Sequence, residues 1–549
     1  MHLHQLPTEI ILMIFHDLYN SLDFPHIRPI RRKDVKPELK FMLVQAVCRR
    51  WRDMIRGTPY YWRVINVYSK QDWLRLCLAR SAGKKTPTSV YFRKFNIPPP
   101  LLQLLSLPSH IPHIRHLSFN VDDDHFDSLR HFFSRQFPNL STLELECPTH
   151  KMWMPSKPLS LPSHNLPRLE NLVLFTTKPP EDLGVYTNLH SLELSAVPLD
   201  VSWDTMLEVL NACAPKLERL GLVHILSDVS VQPDLHSGPS PVTFPRLKMI
   251  HVANKLPYLA RILSHFRVPA GIDVYLMDNI MGRQADEVTA LEQAFIPMLP
   301  PDPATIVPHF SSVMAVRYTA WESEFTFIGT GEGELGVHLE LYRHDDDPPL
   351  AWGSLGRKGL MELLGLLSRA DVRLFEIAVD YDTLGADDFE AVFKAFPKLE
   401  TLNLNGGGSF DYILELLGSK ARSSSIAPPS SSADEEDKAP EASEAGPDSM
   451  WCPNLKAVII GDVDDQWSCD DDLLDKIVQV LRARAQRGLR LDRFEIRLLH
   501  NTEEEYLEAQ AKYLPQLQAL VGEVVYGNHK PDDGDCSTCG SDLDSESEY

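Results

Sequence analysis

Four groupings in the chain have the residue types that chemistry needs. Gly331-Glu332-Gly333-Glu334-Leu335-Gly336 spells G-x-G-x-x-G, the spacing of a phosphate-cradling turn. That use requires a strand before the glycines and a helix after them. Here the run VHLELY comes after them, alternating like a strand, and two glutamates would repel a phosphate, so the spacing predicts a hairpin turn. His110, His113 and His116 could suggest a metal cluster, but Pro112 breaks any helix through them and no Cys or carboxylate keeps step. Cys536 and Cys539 form a lone C-x-x-C, at most half a zinc site. Asp345, Asp346 and Asp347 precede Pro348 and predict a solvated turn. No G-x-S-x-G, P-loop or H-E-x-x-H motif is present. The expectation is therefore a protein that is not an enzyme, with no cofactor, no metal site and no catalytic residues.

Any site must be held in place by folded elements, and composition bounds those. The chain has 549 residues, 43% of them apolar, enough to bury sizeable cores. Its net charge of −22 makes it a poor general binder of nucleic acid or anionic membrane. The charge is uneven: residues 1–65 carry eleven Lys or Arg against six Asp or Glu. That asymmetry predicts a separate N-terminal module with an acidic partner. Eight scattered cysteines suit reduced thiols in the cytoplasm, the nucleus or both. No apolar stretch is long enough to span a membrane, and the start lacks a signal-peptide pattern.

Residues 6–18 read LPTEIILMIFHDL, with Pro7 and Glu9 placed for a first helical turn. Ile10, Ile14 and Leu18 share one face, and Ile11 and Phe15 another. The run 39–55 repeats the pattern: Leu39, Leu43 and Val47 against Phe41, Val44 and Cys48. Helices apolar nearly all round must be buried on more than one side, and a module of this size cannot do that alone. Leu6-Pro7-x-Glu9-Ile10, then Val47-Cys48-Arg49-Arg50-Trp51, then Pro59-x-x-Trp62, resemble an F-box. The resemblance covers residues 3–62 and implies a three-helix hook docking on the Skp-type adaptor of a cullin–RING ubiquitin ligase. It carries adaptor contact onto Leu6, Pro7, Ile10, Ile14, Leu43, Val47, Cys48 and Trp51. Trp62 would lock the hook onto the repeats C-terminal to it. The sequence departs from the family in the long, basic, proline-rich stretch 19–38, which reads as a solvated loop.

Beyond residue 100 one pattern recurs, P-x-L-x-x-L-x-L, at 112–119, 138–145, 167–174, 187–194, 215–222, 245–252, 397–404 and 453–460. The spacing falls in or near the period of leucine-rich repeats. The last two apolar residues of each copy alternate on a short strand, whose face can be buried only by stacking on neighbours. The asparagine that ties standard repeats together is missing; Pro148, Thr177, Val197, Ile225 and Gly407 stand in its place. Helices are predicted over 204–212 and 388–396, and helical text runs from 285 to 295. Two strands, 321–328 and 337–342, should flank the glycine turn. The expected fold is α/β: a small N-terminal all-α F-box (1–65), then an irregular leucine-rich-repeat-like α/β solenoid (66–418 and 450–529). A Ser-rich acidic insertion (419–449) and an acidic tail (530–549) lack the apolar residues to join a core and are predicted disordered.

The resemblance implies a substrate-recognition subunit of a Skp–cullin–F-box ubiquitin ligase, with the repeats holding a client protein. The alternative is a non-catalytic repeat scaffold whose F-box-like helices merely cap the repeats. The outward x positions of the repeats nominate Glu144, Glu146, Glu193, Ser195, Asn403 and Asn405 as client contacts, and their acidity suggests a basic client. Neither nucleic acid nor membrane is expected as a partner.

Overall fold

The structure is a computed structural model. It describes residues 6–21, 43–67, 71–81, 86–92, 97–121, 126–147, 159–197, 201–225, 241–269, 271–279, 293–300, 308–321, 324–331, 336–342, 350–419, 450–461, 471–498 and 502–528. Most of the basic stretch 19–38, the insertion beyond Ser419, the tail 530–549, Cys536, Cys539 and Asp345–Asp347 lie outside these residues. The chain forms two compact units, Met1–Asn254 with His265–Pro269, and Lys255–Ser264 with Ala270–Tyr549. Both are mixed α/β with mostly parallel strands.

In the first unit the strands are β1 (Val64–Val67), β2 (Thr88–Phe92), β3 (Ile114–Asn120), β4 (Thr142–Glu146), β5 (Asn171–Phe175), β6 (Ser191–Ser195), β7 (Arg219–Val223), β8 (Val242–Thr243), β9 (Met249–Ala253) and β10 (Phe266–Arg267). Each of β1 to β6 pairs in parallel with the next, β7 pairs with β9, and β8 pairs with β10 apart from them. One strand per repeat, always running the same way, requires the chain to return on one side, and the apolar residues of L-x-L face that side. Leu143, Leu145, Leu172, Leu174, Leu192, Leu194, Leu220 and Leu222 are all at most 1% exposed. Bulky aromatics fill the early repeats, where Phe119 meets Phe92, Phe132 and Phe133 with centroids within 5.9 Å. The predicted helix at 204–212 is the Trp203–Cys213 helix, with Ser202 capping its first turn.

The missing asparagine ladder has a physical replacement. Thr176, Ala196 and His224 each directly follow a strand, and each has φ near +50°. Their N–H groups donate to the last carbonyl of the next strand: Thr176 to Ser195 at 2.8 Å, Ala196 to Val223 at 2.7 Å, His224 to Ala253 at 2.7 Å. The residues at the asparagine position, Thr177, Val197 and Ile225, turn inward and are buried. A backbone ladder thus does what side-chain amides would have done.

The second unit holds β11 (Asp273–Asn279), β12 (Ala315–Ala320), β13 (Glu324–Thr330), β14 (Gly336–Tyr342), β15 (Leu374–Asp380), β16 (Thr401–Gly407), β17 (Ala457–Ile460), β18 (Arg493–Leu498) and β19 (Glu523–Asn528). β15 to β19 pair in parallel in chain order, and β12 pairs in parallel with β15. The G-x-G-x-x-G run joins β13 to β14, which are antiparallel with Thr330 opposite Gly336, as the hairpin reading expects. The sequence did not reveal that β12 extends this hairpin into a three-strand meander, nor that β14 closes it on β11 in parallel. Helical text at 285–295 is mostly outside the described residues; 293–295 are not helical and lead into a single 3-10 turn, Ile296–Met298. Glu362 shapes that turn, accepting from the N–H groups of Ala294, Phe295 and Ile296 at 2.7–2.9 Å.

Arg484, on the Asp471–Gln486 helix, is 1% exposed. It is met by backbone carbonyls. Its guanidinium donates to Leu417 O at 3.3 Å, Trp451 O at 3.1 Å and Cys452 O at 2.9 Å. Arg487 adds a bond to Gly418 O at 3.4 Å. These carbonyls flank the insertion, so one helix holds both of its ends. β16 and β17 pair directly across it.

Candidate partner-binding surfaces

The N-terminal helices bring two kinds of apolar residue to opposite sides. On the Thr8–Ser21 helix, Ile11, Phe15 and Tyr19 point inward and are at most 3% exposed. Phe15 packs edge-on against Trp51 with centroids 5.0 Å apart, and Tyr61 donates its hydroxyl to Leu12 O at 3.2 Å. Arg50 donates to Leu6 O and the Thr8 hydroxyl at 3.0 and 3.1 Å, pinning the start of the helix. The other side of this helix is displayed, with Ile10 41%, Met13 61%, Ile14 44% and Leu18 39% exposed, and on the 43–47 helix Leu43 is 69% and Val47 57% exposed.

The predicted helix over 39–55 is not continuous. Residues 43–47 are helical, Cys48 is extended at φ −157° and ψ 168°, and a second helix runs Arg49–Gly57. Cys48 Sγ accepts from Trp51 N at 3.5 Å, so this thiol caps the second helix. Of the adaptor contacts the resemblance carried over, Pro7, Ile10, Ile14, Leu43 and Val47 lie on the surface. Leu6, Cys48 and Trp51 are half-buried and serve the module's own packing. Trp62 is buried; its indole donates to Ile55 O at 2.9 Å and its ring lies 6.0 Å from Trp73 on the Gln71–Ser81 helix. Met13 belongs to the displayed face, and its spacing of three from Ile10 was the available signal.

The second surface is the face of the first unit's strands opposite the buried leucines. Two rungs cross it in register: Glu144, Val173, Glu193 and Gly221, then Glu146, Phe175 and Ser195. His116 Nε2 stands 3.4 Å from Glu144, and Asn120 donates to Glu146 at 3.4 Å. Glu193 has neither hydrogen bond nor ion pair among the described residues. Burial, reinforced by the Glu144 charge and opposed by Arg219, holds its carboxyl above the usual carboxylate range. Ser195 is a correction: at 6% exposed it is buried, because it lies one residue before the left-handed turn where the chain dips inward. Phe175, 37% exposed on the middle strand, was missed; it holds the same position as Glu146 and Ser195, but a phenylalanine there reads as a core residue rather than as a surface contact.

In the second unit the equivalent face carries paired charges. Arg317 meets Glu376 at 3.0 Å, and Glu495, 3% exposed, accepts from Arg493 at 2.6 Å and from Arg497. Asn403 is half-buried between Glu376 and Ile459. Asn405, with its amide nitrogen turned to Gly461 O at 2.8 Å, ties β16 to the turn after β17. Among the described residues no group of three or more His, Cys, Asp or Glu is placed to hold a metal ion, and no helix is long and apolar enough to cross a membrane. No family model matches the chain, and no curated protein does either.

Proposed function

We propose that the chain is the substrate-recognition subunit of a Skp–cullin–F-box ubiquitin ligase. In this reading its N-terminal hook holds the Skp-type adaptor and its leucine-rich-repeat-like solenoid holds a client protein. The observation that supports it is the displayed apolar face of Ile10, Met13, Ile14 and Leu18 on the Thr8–Ser21 helix, beside which the 43–47 helix exposes two more apolar side chains, Leu43 and Val47. A module that only capped the repeats would need its inner face, Ile11, Phe15 and Tyr19, and no second one. Contiguous exposed apolar patches mark interaction sites.

The double variant Ile10→Asp, Val47→Asp tests this. Both side chains are exposed, so the melting curve should be unchanged. An unpaired carboxylate buried in an interface costs several kcal/mol, enough to abolish a complex of micromolar affinity. Co-purification with a Skp-type adaptor should be lost while the melt stays intact. A wild-type protein that never captures the adaptor, or a variant that captures it as well, would leave the scaffold alternative.

A further inference from the structure

The outward face of β4, β5 and β6 combines two features that rarely meet on an idle surface. Val173 and Phe175 form an apolar strip along the middle strand, and Phe175 is 37% exposed. Glu144 and Glu146 wall it on one side and Glu193 on the other. Adjacent strands lie about 4.8 Å apart, so Glu144 and Glu193 face each other across roughly 10 Å. That width admits one extended chain. Gly221, next to Glu193 in the same rung, leaves the far side low; a Cβ there would stand 3.0 Å from Glu193 Cγ.

A carboxylate without a bonded cation is costly this close to apolar surface; Glu193 feels the Arg219 charge but has neither side-chain hydrogen bond nor ion pair among the described residues. The chemistry that would complete it is a cation with an aliphatic or planar body. An arginine or lysine can lay its stem on Val173, its charge over the Phe175 ring, and its head between carboxylates. We infer that this track receives an extended basic segment of the client, with arginine or lysine at alternate positions. The inference rests on the client-receptor reading above and narrows it to a partner chemistry.

The test uses the full chain and a fluorescent peptide of alternating arginine and alanine, followed by anisotropy at low and physiological salt. Wild type should bind, more weakly as salt rises. Glu144→Gln with Glu193→Gln should weaken binding about tenfold. Phe175→Ala, which removes no charge, should weaken it several-fold. Glu504→Gln with Glu508→Gln removes the same charge from an exposed helix and should change little. Absence of wild-type binding, unchanged binding in either track variant, or an equal loss in the helix control would overturn the track. Adaptor capture by the same variants separates the two proposals. Capture without peptide binding sinks only the track; localised peptide binding without capture sinks the ligase reading and leaves the track standing.

Discussion

Glu193 and Glu495 sit at the same outward position of their strands, yet their surroundings give them opposite signs. For Glu193, burial comes first and Glu144 adds to it, so the folded carboxyl keeps its proton to higher pH than the unfolded one. Folding then loses stability as pH rises past the ordinary glutamate value of about 4.3, and a constant penalty remains at neutral pH. For Glu495, burial also raises the carboxyl, but hydrogen bonds from Arg493 and Arg497 outweigh it and hold it below the usual range. Its contribution is complete above about pH 4.3 and is lost as pH falls through the depressed folded value. Glu193→Gln should therefore raise the melting midpoint at neutral pH, with the gain vanishing in acid. Glu495→Gln should cost about 1–2 kcal/mol at neutral pH, a loss that shrinks on acidification. Melting curves of both variants across pH check the pair; parallel behaviour would mean that the two environments do not differ as described.

The strands themselves were legible because a period of two with leucine at both inward sites admits few other outcomes. Each P-x-L-x-x-L-x-L copy from 112 to 252 forms a parallel strand in the expected place. What was not legible was the turn after each strand. A left-handed turn usually announces itself by glycine or asparagine, and here threonine, alanine and histidine adopt it at Thr176, Ala196 and His224. The ladder of N–H bonds to the next strand compensates, and that is a property of neighbouring repeats rather than of any one. The break at Cys48 was hidden for a related reason, since a thiol is a rare cap. The candidate sites divide the same way: the apolar face of the Thr8–Ser21 helix was readable from helical spacing, while the Phe175 strip needs three strands in register. Backbone conformation gives the test at this scale. Ala196→Gly relieves strain of about 1 kcal/mol, partly offset by the freedom glycine brings to the unfolded chain, so it should be neutral or slightly stabilising. Gly406→Ala should be severely destabilising, because φ is +118° and the new Cβ would lie 2.0 Å from Val379 O. Equal tolerance of the two changes in thermal melts would contradict the turn geometry.

At the scale of the whole molecule, the acidic insertion separates two repeats, 397–404 and 453–460, and its anchor is a single buried cation. Arg484→Leu would leave the Leu417 and Trp451 carbonyls without their donor, and Cys452 O with only the Leu455 N–H. At about 1 kcal/mol or more for each buried group left unpaired, and less for the one bond lost at Cys452, the cost should be on the order of 2–3 kcal/mol. Unfolding followed by circular dichroism should show a midpoint lower by on the order of 5–10 °C. A shift of a degree or less would mean that water takes over the bonds. The same anchor carries a consequence for a severed chain. The helix 471–486 belongs to the C-terminal side of the insertion and grips Leu417 on the N-terminal side, while β16 and β17 pair across the gap. A peptide bond cut anywhere between 420 and 449 removes a covalent link but none of these contacts. The two fragments should stay together as a nicked particle, and co-expressed halves divided at that point should reconstitute one.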